Sequence, residues 1–300
     1  MNKIKEILVG TNNEGKYKEI CNLLPKNVKK HSLKEFDVSS PQEIGKSFEE
    51  NALIKASYFS KKTNLICLSD DSGLEIDILK GAPGIFSSRW GGEKKNFDLA
   101  IKKVFLEMSK IKRDWQTDNS AKFVCCLTLF WPNNKSFTSK GVVHGRISTS
   151  KKGNRGFGYD PIFIPNDHYK TFGEMEPKLK MSIDHRYRAY IQINKFFYSA
   201  HRSLSELINY AENDEHYKIL EEIYKRNNNK ENDKTELGFA LGKATSDLKN
   251  YKVSFKYYTE ANKLRRKQIN FSIKKEKVIF SGIKKVFSRK LFSKFKNSGN

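Results

Sequence analysis

The chain has 300 residues, with 57 Lys and Arg against 34 Asp and Glu, and its net charge of +23 makes a polyanionic partner or substrate the first expectation. Apolar residues are 37% and aromatic ones 12% of the total, enough for a sizeable core in one or two domains and too many for a disordered chain. No run reaches the ~18–20 apolar residues of a membrane span, the N-terminus lacks a signal-type apolar segment, and Cys21, Cys67, Cys125 and Cys126 have no CxxC spacing, so membrane-spanning, disulfide-scaffold and zinc-module classes are excluded and a cytoplasmic protein is expected.

Residues 1–200 alternate strand-like and helix-like segments. Ile4–Val9 reads as a short apolar strand and Lys16–Leu24 as a helix, with Tyr17, Ile20, Leu23 and Leu24 at helical spacing. Between them runs GTNNEGK, Gly10 to Lys16. Small residues entering a helix N-terminus, with a lysine in the first turn, suit a phosphate cradle. It is not a Walker A loop, because Tyr17 stands where Ser or Thr is required, and a polar turn without function would look the same. Ser47–Lys61 is a second helix, with Ser47 at the N-cap and Glu50 at the capping-box spacing. On it Asn51 and Lys55 face the same way, read as a solvated face with an incidental ion pair.

Leu65–Ser69 reads as a buried strand with Asp70 and Asp71 directly after it. Two adjacent carboxylates there need a cation to offset desolvation and mutual repulsion. Mg²⁺ would serve, since with phosphate substrates it uses only one or two protein carboxylates; a capped turn with one Asp in water is the alternative. Leu74–Ile78 alternates, the GAPG turn reverses the chain, and Phe97–Met108 is a helix. Lys122–Trp131 is a strand rich in β-branched and aromatic residues, expected to pair with Phe137–His144, and Ile162–Ile164 adds another.

In GNRGFGYDPIFIP, residues 153–165, glycines around Phe157 and Tyr159 let backbone wrap a planar ring. Either aromatic could stack on a base, and Asp160 could accept from a ring N–H or a ribose hydroxyl; a packed hairpin is the other reading. Lys180 falls in the turn before a helix over Asp184–Ala200, with His185 and Arg186 in its first turn. Cations at a helix N-terminus are unfavourable without an anion or acceptor. An imidazole N–H and a guanidinium suit a keto oxygen and would reject an exocyclic amine. The order of elements predicts an α/β fold, a mixed twisted sheet with flanking helices and a ligand site at strand ends, and the phosphate and base readings of the motifs make that site a nucleotide cleft.

Taken together and in order, TNNEGKYKE, FEENALIKA, DDSGLEIDILKGAPGIFSSRW, GFGYDPIF and DHRYRA resemble the inosine/xanthosine triphosphate pyrophosphatases over about residues 4–197. That resemblance implies hydrolysis of non-standard purine nucleoside triphosphates (ITP, dITP, XTP) to monophosphate and pyrophosphate, Mg²⁺ as cofactor, and a homodimer. It implies that Thr11, Asn12, Asn13, Glu14, Gly15 and Lys16 hold the triphosphate, and that Asp71 is both metal-linked and the general base. Ser72 would touch substrate, Phe157, Gly158, Tyr159 and Asp160 would surround base and sugar, and Lys180, His185 and Arg186 would complete the pocket. Three positions depart from the family pattern. Gln42, with Glu43 beside it, stands where a metal-binding Glu is usual, leaving Gln42, Glu43 or Glu50 as second ligand; Asp184 replaces a Ser; His144 replaces an acidic residue.

Residues 201–300 lie outside the resemblance and form a second domain, an all-α helical-hairpin extension, after a boundary near residue 200. They hold 23 basic and 12 acidic side chains, against 34 and 22 in residues 1–200, so the extension is about twice as charge-dense. The Asn/Lys/Glu stretch at 226–235 reads as a solvated linker. Residues 235–268 resemble a single tetratricopeptide repeat, with Leu241, Gly242, Ser254, Tyr258 and Ala261 at its positions. Lys274–Lys296 places Ile279, Ile283, Val286, Phe287 and Leu291 on one helical face, fit for an acidic membrane surface, a partner helix or a repeat cap. The partner of this extension is unknown from sequence. The alternative to an enzyme is an impaired pyrophosphatase fold that acts as a scaffold through its basic extension.

Overall fold

The computed structural model describes residues 4–26, 28–225, 231–269 and 273–286, in two units, Met1–Phe196 and Phe197–Asn300. The first is built on six strands, β1 (Glu6–Val9), β2 (Lys29–Ser32), β3 (Cys67–Ile76), β4 (Ser120–Phe130), β5 (Ser136–Ile147) and β6 (Phe163–Pro165). They form one sheet in the order β2-β1-β3-β4-β5-β6, parallel from β2 to β3 and antiparallel beyond. This is the mixed sheet with flanking helices that the sequence predicts.

Helix α1 (Glu14–Leu23) follows β1, α2 (Phe48–Thr63) precedes β3, and α3 (Phe97–Ile111) precedes β4. Ser47 caps α2 by accepting from the Glu50 N–H at 3.1 Å, but Glu50 accepts from the Lys46 N–H, not from that of Ser47. On α3, Ala100, Ile101, Val104 and Met108 are buried at helical spacing against Leu74, Ile76, Phe123, Phe163 and Phe172. On the opposite face Phe48 and Ala52 of α2 pack on Val124 and Cys126. Burial of each large side chain stabilises by about 1.5–3 kcal/mol, which is why α2 and α3 are fixed against β3 and β4.

Two features of β3 place the site. Its pairing with β1 covers only Cys67 and Leu68, whereas its pairing with β4 runs the full length from Cys67 to Ile76. Where β1 ends, the Gly10 N–H still donates to the Leu68 carbonyl at 2.9 Å, and Gly10–Asn13 then line a cleft together with Asp71–Gly73. The two segments read from sequence as separate strands are thus one strand, and Asp70 and Asp71 lie in its middle, not after it. Strand alternation sends them to opposite faces.

Short helix α4 (Pro177–Ile183) leads into α5 (His185–Leu207), so Lys180 sits within a helix, not in a turn before one. Gly141 of β5 allows the close approach of α5: a Cβ there would meet the His185 carbonyl and the Ala189 N–H.

In the second unit the described helices include α6 (Glu215–Lys225), α7 (Glu231–Asp247), α8 (Tyr251–Gln268) and α9 (Ile273–Val286). Leu237, Ala240, Leu241 and Ala244 present one buried face of α7 to Leu220 and Tyr210. Gly238 lies against Ala261 and Gly242 against the Tyr258 ring, so α7 and α8 form a close helical hairpin. The expected linker is corrected at 231–235. These residues open α7, because Glu231 and Asp233 favour a helix N-terminus and Thr235 is buried, its hydroxyl donating to the Glu231 carbonyl at 2.8 Å. The rest of that stretch, 226–230, and Phe287 and Leu291 of the last amphipathic segment lie outside the described residues, as do the side chains of Ile279 and Val286.

Candidate functional site

A cleft of about 620 Å³ is lined by the loop after β1, the centre of β3, and residues of α2, the Phe157–Asp160 segment, α4 and the start of α5. Asn13 caps α1 by accepting from the Lys16 N–H at 3.0 Å, which fixes the loop and directs the Lys16 side chain inward. Thr11, Asn12, Asn13 and Lys16 line the cleft. Glu14 and Gly15 do not: Glu14 points outward to Lys34 at 2.8 Å, and Gly15 is the surface on which the Phe157 ring rests.

The two carboxylates have separate environments. Asp70 is fully buried and meets Lys16 and Arg186, each at 3.1 Å, and accepts from Ser72. Burial pushes its pKa up, but Lys16 and Arg186 outweigh that and hold it well below the ordinary carboxylate range. Asp71, on the other face, meets Lys55 at 3.0 Å and accepts from Asn51 at 3.3 Å. Burial is the main influence there and leaves its pKa raised despite Lys55 and Lys16. The cations that the sequence requires beside this pair are, in part, side chains: Lys16 and Arg186 for Asp70 and Lys55 for Asp71.

Lys55 and Asn51 are also corrected. Both are buried, so their face of α2 is not solvated. Asn51 accepts from the Gly45 N–H at 2.9 Å, which turns its amide nitrogen toward Asp71. Lys55 bridges Asp71 and Glu43, the latter at 2.8 Å. Sequence spacing put Asn51 and Lys55 on one face but gave no sign of which strand that face would meet. Among the three candidate second ligands, Gln42 and Glu50 are exposed, while Glu43 lines the cleft.

Phe157, Gly158, Tyr159 and Asp160 also line the cleft. Tyr159 is buried, its hydroxyl donates to the Ser87 carbonyl at 2.8 Å, and its ring meets Phe97 edge-on. Asp160 is committed to the Phe157 N–H at 2.8 Å and to Lys180 at 2.7 Å. Both therefore brace the segment, and Phe157, whose ring has the Lys180 ammonium 5.1 Å from its centroid, is the aromatic of this segment not held by a hydrogen bond of its own side chain. Lys180 and Arg186 are tied together through Glu19, a residue that sequence reasoning passed over because it looks like any exposed helix glutamate.

His185 stacks on Phe123, centroids 4.7 Å apart and planes 9° from parallel. Burial, then Arg186 and Lys180, push its pKa well below that of free histidine, so the ring is neutral. Its Nδ1, Arg186 Nε and Asp70 Oδ1 are buried side-chain atoms without a hydrogen-bond partner, the condition of groups that await a ligand.

Asp184 ends α4 and accepts from the Tyr187 N–H at 2.7 Å. Burial, then Glu19, push its pKa up to about 6. The folded protein therefore binds this proton more tightly than the unfolded chain, in which the pKa is about 3.9. The stability so gained is complete below about pH 4 and is lost as pH rises through about 6. Asp184→Asn should flatten that decline in melting temperature; parallel pH series for the two proteins would contradict the assignment.

With this geometry in hand, comparison with known proteins gives a consistent result. The model of the Ham1 family matches residues 7–196. The dITP/XTP pyrophosphatase of Caulobacter vibrioides is 40% identical over 188 residues, covering 63% of this chain and 95% of that one. The enzyme of the same name from Bacillus subtilis is 39% identical, covering 64% and 96%. Among solved structures, a HAM1 protein from Coxiella burnetii superposes with a TM-score of 0.59 at 37% identity, covering 64% of this chain and 98% of that one. The Staphylococcus aureus Ham1 protein gives 0.57 at 35% identity, with coverage of 64% and 98%.

Proposed function

The chain belongs to the Ham1 family through residues 7–196, and from that membership we propose that it hydrolyses non-standard purine nucleoside triphosphates (ITP, dITP, XTP) to the monophosphate and pyrophosphate. The observation that carries the reading is a cleft lined by Lys16, Lys55, Lys180 and Arg186 and by the buried Asp71 carboxylate, which Lys55 meets at 3.0 Å, with His185 Nδ1 and Arg186 Nε left unpaired.

Lys16 and Lys180 offset phosphate charge, including the charge that develops on the leaving pyrophosphate. Asp71, oriented by Lys55 and Asn51, takes a proton from the attacking water. The water oxygen bonds to the α-phosphorus, the bond from that phosphorus to the α,β-bridging oxygen breaks, and pyrophosphate departs. The raised pKa of Asp71 suits a proton acceptor better than an ordinary surface carboxylate. Phe157 stacks on the base, Ser72 touches substrate, and a neutral His185 and Arg186 donate to a keto oxygen.

Mg²⁺ is the proposed cofactor. No group of three His, Cys, Asp or Glu side chains is placed to hold a metal among the described residues. Two carboxylates, Asp71 and Glu43, do converge on one cation, the Lys55 ammonium, and two suffice for Mg²⁺ that shares its coordination with phosphate. Asp71 and Glu43 would hold the ion, which when bound polarises phosphate oxygens.

A homodimer is proposed from the sequence resemblance alone. A cytoplasmic setting accords with four free cysteines and with no helix among the described residues long and apolar enough to cross a membrane. The α7–α8 hairpin is read as one tetratricopeptide-like repeat.

Pyrophosphate release measured with ITP, XTP, dITP and ATP, in magnesium and in EDTA, tests this function. The first three should be turned over in magnesium, ATP should be worse by about 10²-fold or more in kcat/KM, and EDTA should abolish the reaction. Equal use of ATP would remove the roles given to His185 and Arg186, and full activity in EDTA would remove the metal.

A further inference from the structure

The second unit exposes a surface made of residues to which the reaction assigns no role. Helix α8 directs Ser254 and Ala261 inward and leaves Tyr251 and Phe255 exposed, at 65% and 75%. On the same helix Lys252, Lys256, Lys263 and Arg266 are exposed. Its remaining cations, Arg265 and Lys267, are tied to Glu236 and Glu231. In α9, Ile273, Phe280 and Ile283 recur on one side at helical spacing, and Lys277 and Lys284 flank them. Ile273, Phe280 and Ile283 are 62%, 61% and 46% exposed, so the described part of the chain does not cover them. Charge adds to this, for residues 263–300 contain 13 Lys and Arg and one acid.

We propose that α8 and α9 form a docking surface for an anionic lipid bilayer, on which the apolar side chains enter the headgroup boundary and the lysines meet lipid phosphates. The two properties together select this partner. A nucleic acid would satisfy the lysines and leave Ile273, Phe280 and Ile283 in water. A helix that capped the α7–α8 hairpin would have those side chains buried. An interfacial helix needs both an apolar side and basic flanks, and its affinity grows with each. The mode is attachment to the surface, since no described helix can cross a membrane. This proposal stands apart from the reaction assigned to residues 7–196.

Flotation of the full chain with vesicles tests it. With phosphatidylcholine vesicles carrying about one third phosphatidylglycerol, the protein should float at least about tenfold more than with phosphatidylcholine alone, and less as salt screens the attraction. Phe280→Asp with Ile283→Asp should remove flotation, as should reversal of charge at Lys252, Lys256, Lys263 and Arg266. These positions are exposed, so circular dichroism and melting should match the parent chain. No flotation with anionic vesicles would overturn the proposal. So would flotation untouched by Phe280→Asp/Ile283→Asp, which would mean diffuse charge adsorption. Binding to duplex RNA without binding to vesicles would assign the surface to nucleic acid and likewise overturn it.

Discussion

Asp71→Asn should lower pyrophosphate release from ITP by about 10²–10⁴-fold, the range for loss of a positioned general base, while the protein stays folded. The substitution keeps the shape of the side chain and its contact with Lys55, and gives up only the 3.3 Å hydrogen bond from Asn51, whose amide nitrogen would then face another. An amide oxygen can still accept from Lys55, and Lys55 keeps Glu43 at 2.8 Å, so no buried charge is left alone. What disappears is the capacity to take a proton at a carboxylate that burial has made more basic than usual. Turnover at saturating ITP, with circular dichroism on the same sample, separates chemistry from folding. Activity within a few-fold of the parent would exclude Asp71 as the base.

Arg186→Met should have the largest effect on stability. The side chain is 1% exposed and its guanidinium contacts Glu19, Asp70 and Ser72. Its removal leaves Asp70, itself fully buried, with Lys16 as its one remaining cation at 3.1 Å. Breaking a buried pair from one side costs about 3–5 kcal/mol, because the surviving charge stays desolvated. In a unit of this size that corresponds to a fall in melting temperature of about 6–20 °C. Adding Asp70→Asn should recover part of the loss, since the orphaned charge is then gone, and the double-mutant cycle measures their coupling. A single variant melting within about 2 °C of the parent would show that Lys16 alone satisfies Asp70.

Most of the first unit was legible because its strands and helices carry unbroken apolar patterns, as in the Ala100, Ile101, Val104 and Met108 face of α3. The failures share a cause: segments whose polar residues are satisfied by partners distant in sequence. Ser69 to Gly73 interrupts the apolar run of β3, yet the strand continues, because Lys16, Lys55 and Arg186 arrive from three helices to meet its carboxylates. Strand β2, Lys-Lys-His-Ser, has almost no apolar signal, and His31 is held there by Glu6 and Glu35. Lys55 looked solvated for the same reason, and Glu19, whose partners Lys180 and Arg186 lie far off in sequence, gave no signal at all. The individual motifs around the cleft were visible, and their chemistry could be named one by one. That Asp70 and Asp71 serve opposite faces required knowing that they lie within a strand.

The most direct test of the central claim is to run the reaction on ITP in heavy-oxygen water and identify both products by phosphorus NMR. Attack at the α-phosphorus predicts labelled inosine monophosphate and unlabelled pyrophosphate in equal amounts. Inosine diphosphate with labelled orthophosphate would contradict it.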